Sequence, residues 1–423
     1  MSLSERDADS VWHPYTQAKI EGPPLAIKSA KDTLLHSKDG KTYIDAISSW
    51  WVNLHGHGNA QISNAINKTA GTLDQIIFAG LTHEPAVKLA ENLLSLTKEK
   101  GKVFYSDDGS TAVEAAIKMA IQYSWNKGKK AKTIIALKGA YHGDTFGAMS
   151  VSSRGVYNKP FEEFLFDVQF ADVPLKETLD ESLQQFENLI SNNSIFAFIF
   201  EPLVQGAAGM KMYSAEGLDA MLLLCKEYGV LSIADEVFTG FGRTGKNLAC
   251  DYLQNKPDII CLSKGITGGV LPLGATIASN EIYEAFLDES RQKMLLHGHS
   301  YTANPISCAA ANASFELLLS KETQTAIVVI SESHKSFVKD LEAHNKAENV
   351  RLLGTILAFE VKSPEGDSYL NSLRDKLYNF YLDNGVLLRP LGNTVYIVPP
   401  YCIKSDELKV VYNVILKSLD EVI

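Results

Sequence analysis

An α/β fold, its mostly parallel central sheet covered by helices on both faces, is what the middle of this sequence predicts. Two observations carry the prediction. From Lys102 onward short apolar runs alternate with helical patterns, the signature of strands buried on both sides. The last hundred residues then change character, to longer helices and strands with polar breaks, which reads as a second, smaller α+β domain. The 423 residues, 45% of them hydrophobic, supply core material for both.

Taken in order, residues 1–49 contain "LLHSKDGKTYIDA", a hairpin pattern turning at Asp39-Gly40; too short to fold alone, this segment is expected to join the smaller domain. Residues 50–315 form the expected large domain. Its strands are read in "KVFYSDD", "TIIALKG", "IFAFIFEP", "VLSIADEV", "PDIICLS" and "GATIAS", and its helices in "STAVEAAIKMAIQYSW" and "SAEGLDAMLLLCKEYG". Residues 316–423 form the smaller domain, with helix around Lys321 to Ala343 and strands in "LLGTILAFEVK" and "GVLLRPLGNTVYIVPPY". A closing helix, capped by Ser405, puts Leu408, Val411, Tyr412, Ile415 and Leu419 on one face. Ligands of parallel sheets sit beyond the carboxyl ends of the strands.

A net charge of -10, with no run of five basic residues, argues against nucleic-acid or anionic-membrane partners and for small molecules. The five cysteines (Cys225, Cys250, Cys261, Cys308, Cys402) form no CxxC pair, as free thiols of the cytoplasm would. The N-terminus lacks the apolar core of a signal peptide, and no apolar stretch reaches the roughly 18 residues of a membrane span. The chain is expected to be neither secreted nor embedded.

Three fragments carry chemistry. In "PDIICLSKGITGGVLPLGAT", Lys264 follows a fully apolar run, where an unpaired ammonium would be poorly solvated; the bland reading is a loop lysine, and a Schiff base to an aldehyde cofactor resolves the conflict. In "VLSIADEVFTGFGRTG", Asp235 and Glu236 end a strand and could be a metal site, a helix cap or a polar edge. With the lysine they gain a role, because a carboxylate ~4 Å from a pyridinium nitrogen contributes about 4 kcal/mol at an effective dielectric near 20. A protonated pyridine is the electron sink that pyridoxal phosphate needs. In "YSDDGSTAVEAAIKMA", Gly109 and Ser110 open a helix whose free N–H groups suit a phosphate, although such a start is commonly only a cap.

"GFGRTG", Gly240 to Gly245, is a literal dinucleotide pattern, but "KNLACDYLQNKPD" after it is too short and polar for the rest of a βαβ unit. His55 with His57, and His297 with His299, invite a metal reading; no carboxylate or cysteine at ligand spacing completes either set, so no metal is expected.

Together these residues resemble the class III, fold-type I aminotransferases that use pyridoxal phosphate. The resemblance runs nearly end to end, through "WHPYTQ", "SSWWVNLHGHGNAQI", "AYHGDTFGAMSV", "IFEPLVQGAAGM", "IADEVFTGFGRTG", "HGHSYTANPISCAAANAS", "LLRPLG" and "YIVPPY". It implies a fold-type I transferase with a large cofactor-binding domain and a small domain built from both chain ends. Lys264 would be the Schiff-base lysine, Asp235 the partner of the pyridine nitrogen, Gly109 and Ser110 the phosphate site, and Tyr141 the ring-stacking residue. Tyr15 and Trp50 would line the substrate site, with Trp51 read as core packing, and Arg389 would receive a substrate carboxylate. Gly298, His299 and Ser300 would reach the cofactor of the partner subunit, so that a homodimer shares its sites.

The segments "WHPYT", "SSWW" and "YHGDTFGAMSV" narrow the resemblance to the branch of biotin synthesis that moves an amino group from S-adenosylmethionine to 8-amino-7-oxononanoate. Lysine, ornithine or 4-aminobutyrate as donor, a nicotinamide oxidoreductase, and a catalytically silent cofactor binder are the competing readings. Two positions depart from the family pattern. Asp108 stands where a small hydroxyl residue is usual and is expected to turn away from the phosphate, while "HGHS" puts His299 in place of proline.

Overall fold

The hairpin at Asp39-Gly40 forms as the sequence predicts, and a third strand precedes it: β1 (Ile27–Lys31), β2 (Leu34–Ser37) and β3 (Thr42–Asp45) make an antiparallel meander. Gly40, at φ +89°, supplies the turn geometry that a side chain would strain. The structure is a computed structural model that describes residues 1–98, 101–191, 194–363 and 371–423.

The apolar runs build a seven-stranded sheet. Its members are β4 (Gly101–Ser106), β5 (Thr133–Leu137), β6 (Val168–Ala171) and β7 (Ile195–Phe200), followed, after a two-stranded ribbon of β8 (Val204–Gln205) and β9 (Lys211–Met212), by β10 (Leu231–Asp235), β11 (Ile259–Leu262) and β12 (Gly274–Ser279). They lie in the order β4-β12-β11-β10-β7-β5-β6. β12 runs antiparallel to both of its neighbours, and the pairings from β11 to β6 are parallel. The sequence reading missed β6, an edge strand with one fully buried residue.

Alternation along the strands splits the core in two. Ile135, Leu137, Phe198 and Phe200 join the cluster under helix Ala215–Tyr228, while Ile134, Ala136, Ala197 and Ile199 join the one under helix Gly109–Asn126. Both faces are covered, and the only solvent-facing edge useful for chemistry is the one where the parallel strands end.

In the C-terminal part, β13 (Ala347–Leu353) and β14 (Ile356–Val361) form an antiparallel hairpin, so "LLGTILAFEVK" is broken rather than one strand. Gly354 makes the turn at φ +59° and packs so closely on the Arg243–Gly245 backbone that a Cβ there would lie 2.2 Å from it. "GVLLRPLGNTVYIVPPY" likewise divides into β15 (Val386–Leu387) and β16 (Thr394–Ile397). β16 extends the hairpin through β14, whereas β15 adds in parallel to β3, so that strands from both chain ends share one sheet.

Helix Lys321–Ala343 begins at Ser320, whose hydroxyl accepts from Thr323 N–H at 3.2 Å. The closing helix corrects one expectation. Ser405 is its first residue rather than its cap; Lys404 holds the cap position, and the Glu407 carboxylate accepts from its N–H at 2.8 Å. The apolar face is as read, with Leu408, Val411, Ile415 and Leu419 buried. All five cysteines are free and four are buried, Cys402 being the exposed one. Among the described residues no helix is long and apolar enough to cross a membrane.

Candidate active site

Five loops leave the sheet at the carboxyl ends of its strands and enclose a cavity of about 420 Å³. Its floor is polar and buried. Asp235, the last residue of β10, is 5% exposed; its Oδ2 lies 2.7 Å from His142 Nδ1 and its Oδ1 accepts from Val237 N–H at 3.1 Å. Glu201, one residue past β7, and Lys264, two past β11, line the same space. The neighbouring carboxylate has a different fate: Glu236 accepts from Thr239 Oγ1 and from the Ala249 and Cys250 N–H groups, which makes it a structural brace outside the cavity.

Among the described residues no carboxylate forms an ion pair with Lys264. Its Nζ stands 4.6 Å from the centre of the Trp51 indole and 5.4 Å from the Phe238 ring. Burial pulls its pKa down to about 8, and Arg243 adds to that fall, while Asp235 and Glu201 oppose it. The lysine is therefore an amine that is readily deprotonated. Its backbone sits at φ +44°, a left-handed conformation that costs a non-glycine residue about 1 kcal/mol or more and clusters at working sites.

Trp51 corrects the sequence reading. It belongs to the core, at 5% exposed, yet it also walls the cavity beside Lys264. The segment around it is held in left-handed backbone at Ser48, Ser49 and Trp51 by two buried groups. Asp45 accepts from Ile47 N–H at 3.2 Å and from Ser49 N–H at 2.7 Å, and Arg243 donates to the Trp51, Asn53 and Pro399 carbonyls. That use of Arg243 accounts for "GFGRTG": the motif is a turn that carries a buried guanidinium, with no helix opening after it.

At the other end of the cavity Gly109 and Ser110 form the first turn of helix Gly109–Asn126, whose leading N–H groups precede any intrahelical partner. The approach is close: a Cβ on Gly109 would lie 2.6 Å from Val237, and one on Gly143 would lie 2.1 Å from the Ser110 hydroxyl. Asp108 turns as expected, capping the helix with its Oδ1 on Thr111 N–H at 2.9 Å.

Tyr141, on the loop after β5, connects floor to mouth. Its N–H donates to Glu201 at 3.0 Å, and its hydroxyl lies 3.4 Å from that of Tyr15; burial first, then this contact, pushes the phenol well above its usual range. Tyr15 also donates to Asp144 and packs its ring 5.5 Å from Trp50. The Arg389 guanidinium lies 5.4 Å over the Trp50 ring and 3.5 Å from the Tyr15 carbonyl. Tyr141, Tyr15, Trp50 and Arg389, distant in sequence, thus meet in one cluster.

Within this chain the 298–300 loop does not wall the cavity. Gly298 and Ser300 are exposed, the Ser300 carbonyl accepts from Gln75, and His299 Nδ1 lies 3.3 Å from Asp107. His55 contacts Ser314, His57 contacts Asp45 and Asn53, and His297 contacts Lys118. The sequence reading assigned no role to Glu201, Phe238, His142 or Asp45; each lies inside or beside a quoted motif, but only the fold turns the first three toward the cavity and sets Asp45 under the segment that carries Trp51.

A shielded amine, a carboxylate across from it, an aromatic side chain and a helix N-terminus around one space fit a flat, phosphorylated heteroaromatic aldehyde. The class-III aminotransferase family model matches residues 15–419. The chain is 46% identical over 421 residues to the adenosylmethionine-8-amino-7-oxononanoate aminotransferase of Synechococcus elongatus, covering 97% of this chain and 99% of that one. The crystal structure of the enzyme of that name from Methanocaldococcus jannaschii superimposes with a TM-score of 0.94 at 36% identity, over 99% of this chain and 98% of that one. The omega transaminase of Pseudomonas jessenii in complex with PMP gives a TM-score of 0.94 at 25% identity, over 100% and 98%. With its cavity built from the strand ends that the sequence marked, this chain belongs to the class-III aminotransferases.

Proposed function

We propose that this chain is a homodimeric, pyridoxal-phosphate-dependent aminotransferase of biotin synthesis. It moves an amino group from S-adenosylmethionine to 8-amino-7-oxononanoate, giving 7,8-diaminononanoate. The observation that carries the reading is the meeting of Lys264 and Asp235 across one cavity, in a chain similar over 97% of its length to an enzyme named for those substrates. Free, mostly buried thiols fit the cytoplasm.

Bound in the cavity, pyridoxal phosphate supplies an aldehyde for amines and a ring that takes up an electron pair. Lys264 would hold the cofactor through its Nζ, and the same amine would move the proton at the α-carbon of the substrate in each half of the reaction. A pKa near 8 leaves a working share of free amine at neutral pH. Asp235 holds a proton on the ring nitrogen, and His142 fixes the carboxylate that does so. Tyr141 would hold the ring, Gly109 and Ser110 would hold the phosphate, and Phe238 and Trp51 would keep water from the lysine. Tyr15 and Trp50 serve both substrates in turn, by cation–π attraction to the sulfonium and by apolar contact with the alkyl chain. Arg389 receives the keto-acid carboxylate. Gly298, His299 and Ser300 of one protomer complete the site of the other.

The test is a half-reaction titration of the purified holoenzyme with S-adenosylmethionine, lysine and ornithine, each alone, following the visible band of the bound cofactor. Loss of the band with S-adenosylmethionine alone, and its return with 8-amino-7-oxononanoate, is the expected result. Loss only with lysine or ornithine overturns the donor assignment and leaves the cofactor chemistry standing.

A further inference from the structure

Glu201 is a buried carboxylate that the mechanism above does not use. It is 5% exposed, and its two oxygens have partners on two segments: Oε2 accepts from Tyr141 N–H at 3.0 Å, on the loop after β5, and Oε1 from Gly206 N–H at 3.0 Å, five residues along its own segment. Gly206 is where the backbone presses on the rings around the lysine, since a Cβ there would lie 3.1 Å from Phe238 and 3.3 Å from Trp51. One carboxylate therefore ties the loop that carries Tyr141 to the wall that flanks Lys264.

We propose that Glu201 is a positioning residue that fixes the spacing of these two walls and, by its charge, raises the proton affinity of Lys264. The proposal rests on the roles given above to Lys264 and Tyr141. The charged and titratable groups that face Glu201 are Asp235, His142 and Lys264, with the Tyr213 hydroxyl donating to its carbonyl and Arg243 beyond the lysine. Burial pushes the carboxyl up to about 7 and Asp235 adds to the rise, while His142 and the two N–H donors hold it down. Above that pH Glu201 is an anion that joins Asp235 in favouring the ammonium of Lys264. Below it, the group becomes neutral and that support is lost.

The experiment labels cofactor-free, full-length protein with trace acetic anhydride across a pH series and reads the Lys264 peptide by mass spectrometry. Wild type is expected to show a midpoint at about 8. Glu201→Gln removes one charge and should lower that midpoint by roughly one pH unit, the order of effect of losing one neighbouring charge at an effective dielectric near 20. In the Gln holoenzyme the circular dichroism of the bound cofactor should also weaken, because an amide NH₂ cannot accept from the second N–H. An unchanged midpoint with an unchanged dichroic band overturns the proposal. A wild-type midpoint at the ordinary lysine value overturns the role of Lys264 instead, which separates the two failures. If Glu201→Gln does not fold, carbon-13 NMR of glutamate-labelled wild type decides. A carboxyl raised above the ordinary glutamate range should move when pyridoxal phosphate is added; if no glutamate carboxyl responds to the cofactor, the proposal is overturned.

Discussion

The floor and the mouth of the cavity are built on different terms. Asp235 and Glu201 at the floor sit at or just past strand ends, each 5% exposed, and their hydrogen bonds run to neighbouring loops. At the mouth, Tyr15 and Trp50 are 37% and 41% exposed, and Arg389 touches them through ring and carbonyl contacts. The floor is pre-organised by the sheet, and the mouth is a set of more exposed side chains held mainly by one another. An enzyme that must accept two unlike substrates in turn needs that division: fixed chemistry below, adjustable recognition above.

The largest effects should therefore come from the floor. Lys264→Ala removes both the tether and the base, and turnover should fall by at least about 10⁴-fold with KM values little changed, measured by product formation under saturating substrates. Residual activity within a hundredfold of wild type would mean that another group moves the proton. Asp235→Asn keeps the shape but removes the charge, and kcat should drop about 10³-fold, the equivalent of about 4 kcal/mol. His142 then loses its anionic partner, so a smaller effect in His142→Ala would show that the imidazole only steadies the carboxylate.

The lysine can also be tested without a variant. Its pKa is lowered to about 8, so the free amine predominates above that pH and declines tenfold per unit below it. Capture of pyridoxal phosphate by cofactor-free protein should accordingly rise with pH up to about 8 and then level off. A lysine at its ordinary value would keep rising to about 10 and would hold roughly 300-fold less free amine near neutrality.

How far the site was legible follows the same division. Lys264 and Asp235 could be read because an apolar run in the sequence places each at the end of a buried strand, where a charge demands a reason. The seven-stranded sheet was legible for the same reason, apart from the half-covered edge strand β6. Trp51 is core, as read, but its second place on the cavity wall was not legible, because nothing in "SSWW" announces a left-handed backbone; Asp45 and Arg243, far apart in the chain, impose it. The grouping of Tyr15 with Trp50 and Arg389 depends on contacts between residues 374 positions apart, which no local pattern encodes; those roles came from family resemblance. Glu201 was visible in "IFEPLVQG" but silent, since its partners are backbone N–H groups, one five residues along its own segment and one on the loop that carries Tyr141.

At the mouth, Arg389→Ala should raise KM for the keto acid about 10- to 100-fold, the range of a lost charge-assisted hydrogen bond, and leave KM for the amino donor within a factor of about three. Equal effects on both substrates would make Arg389 a structural support for the Trp50 ring over which it lies, and would erase the contrast between a fixed floor and a selective mouth.

The smallest effect should come from Asp108, at the start of the helix that would receive the phosphate. Asp108 caps helix Gly109–Asn126 through Thr111 N–H, and serine caps about as well, so Asp108→Ser should change stability by no more than about 0.5 kcal/mol. What the exchange does remove is an anion at the entrance of a phosphate site. Turned toward the helix, that carboxylate is partly neutralised by the N–H groups it caps, so its repulsion of a phosphate is weak and open to screening. Affinity for pyridoxal phosphate in Asp108→Ser should rise two- to five-fold at low salt, with the gain fading at about 0.5 M salt. A gain that persisted at high salt would mean that serine contacts the phosphate directly. A loss would mean that the aspartate, by fixing the first turn, does more to aim the Gly109 and Ser110 N–H groups than its charge does to oppose the ligand.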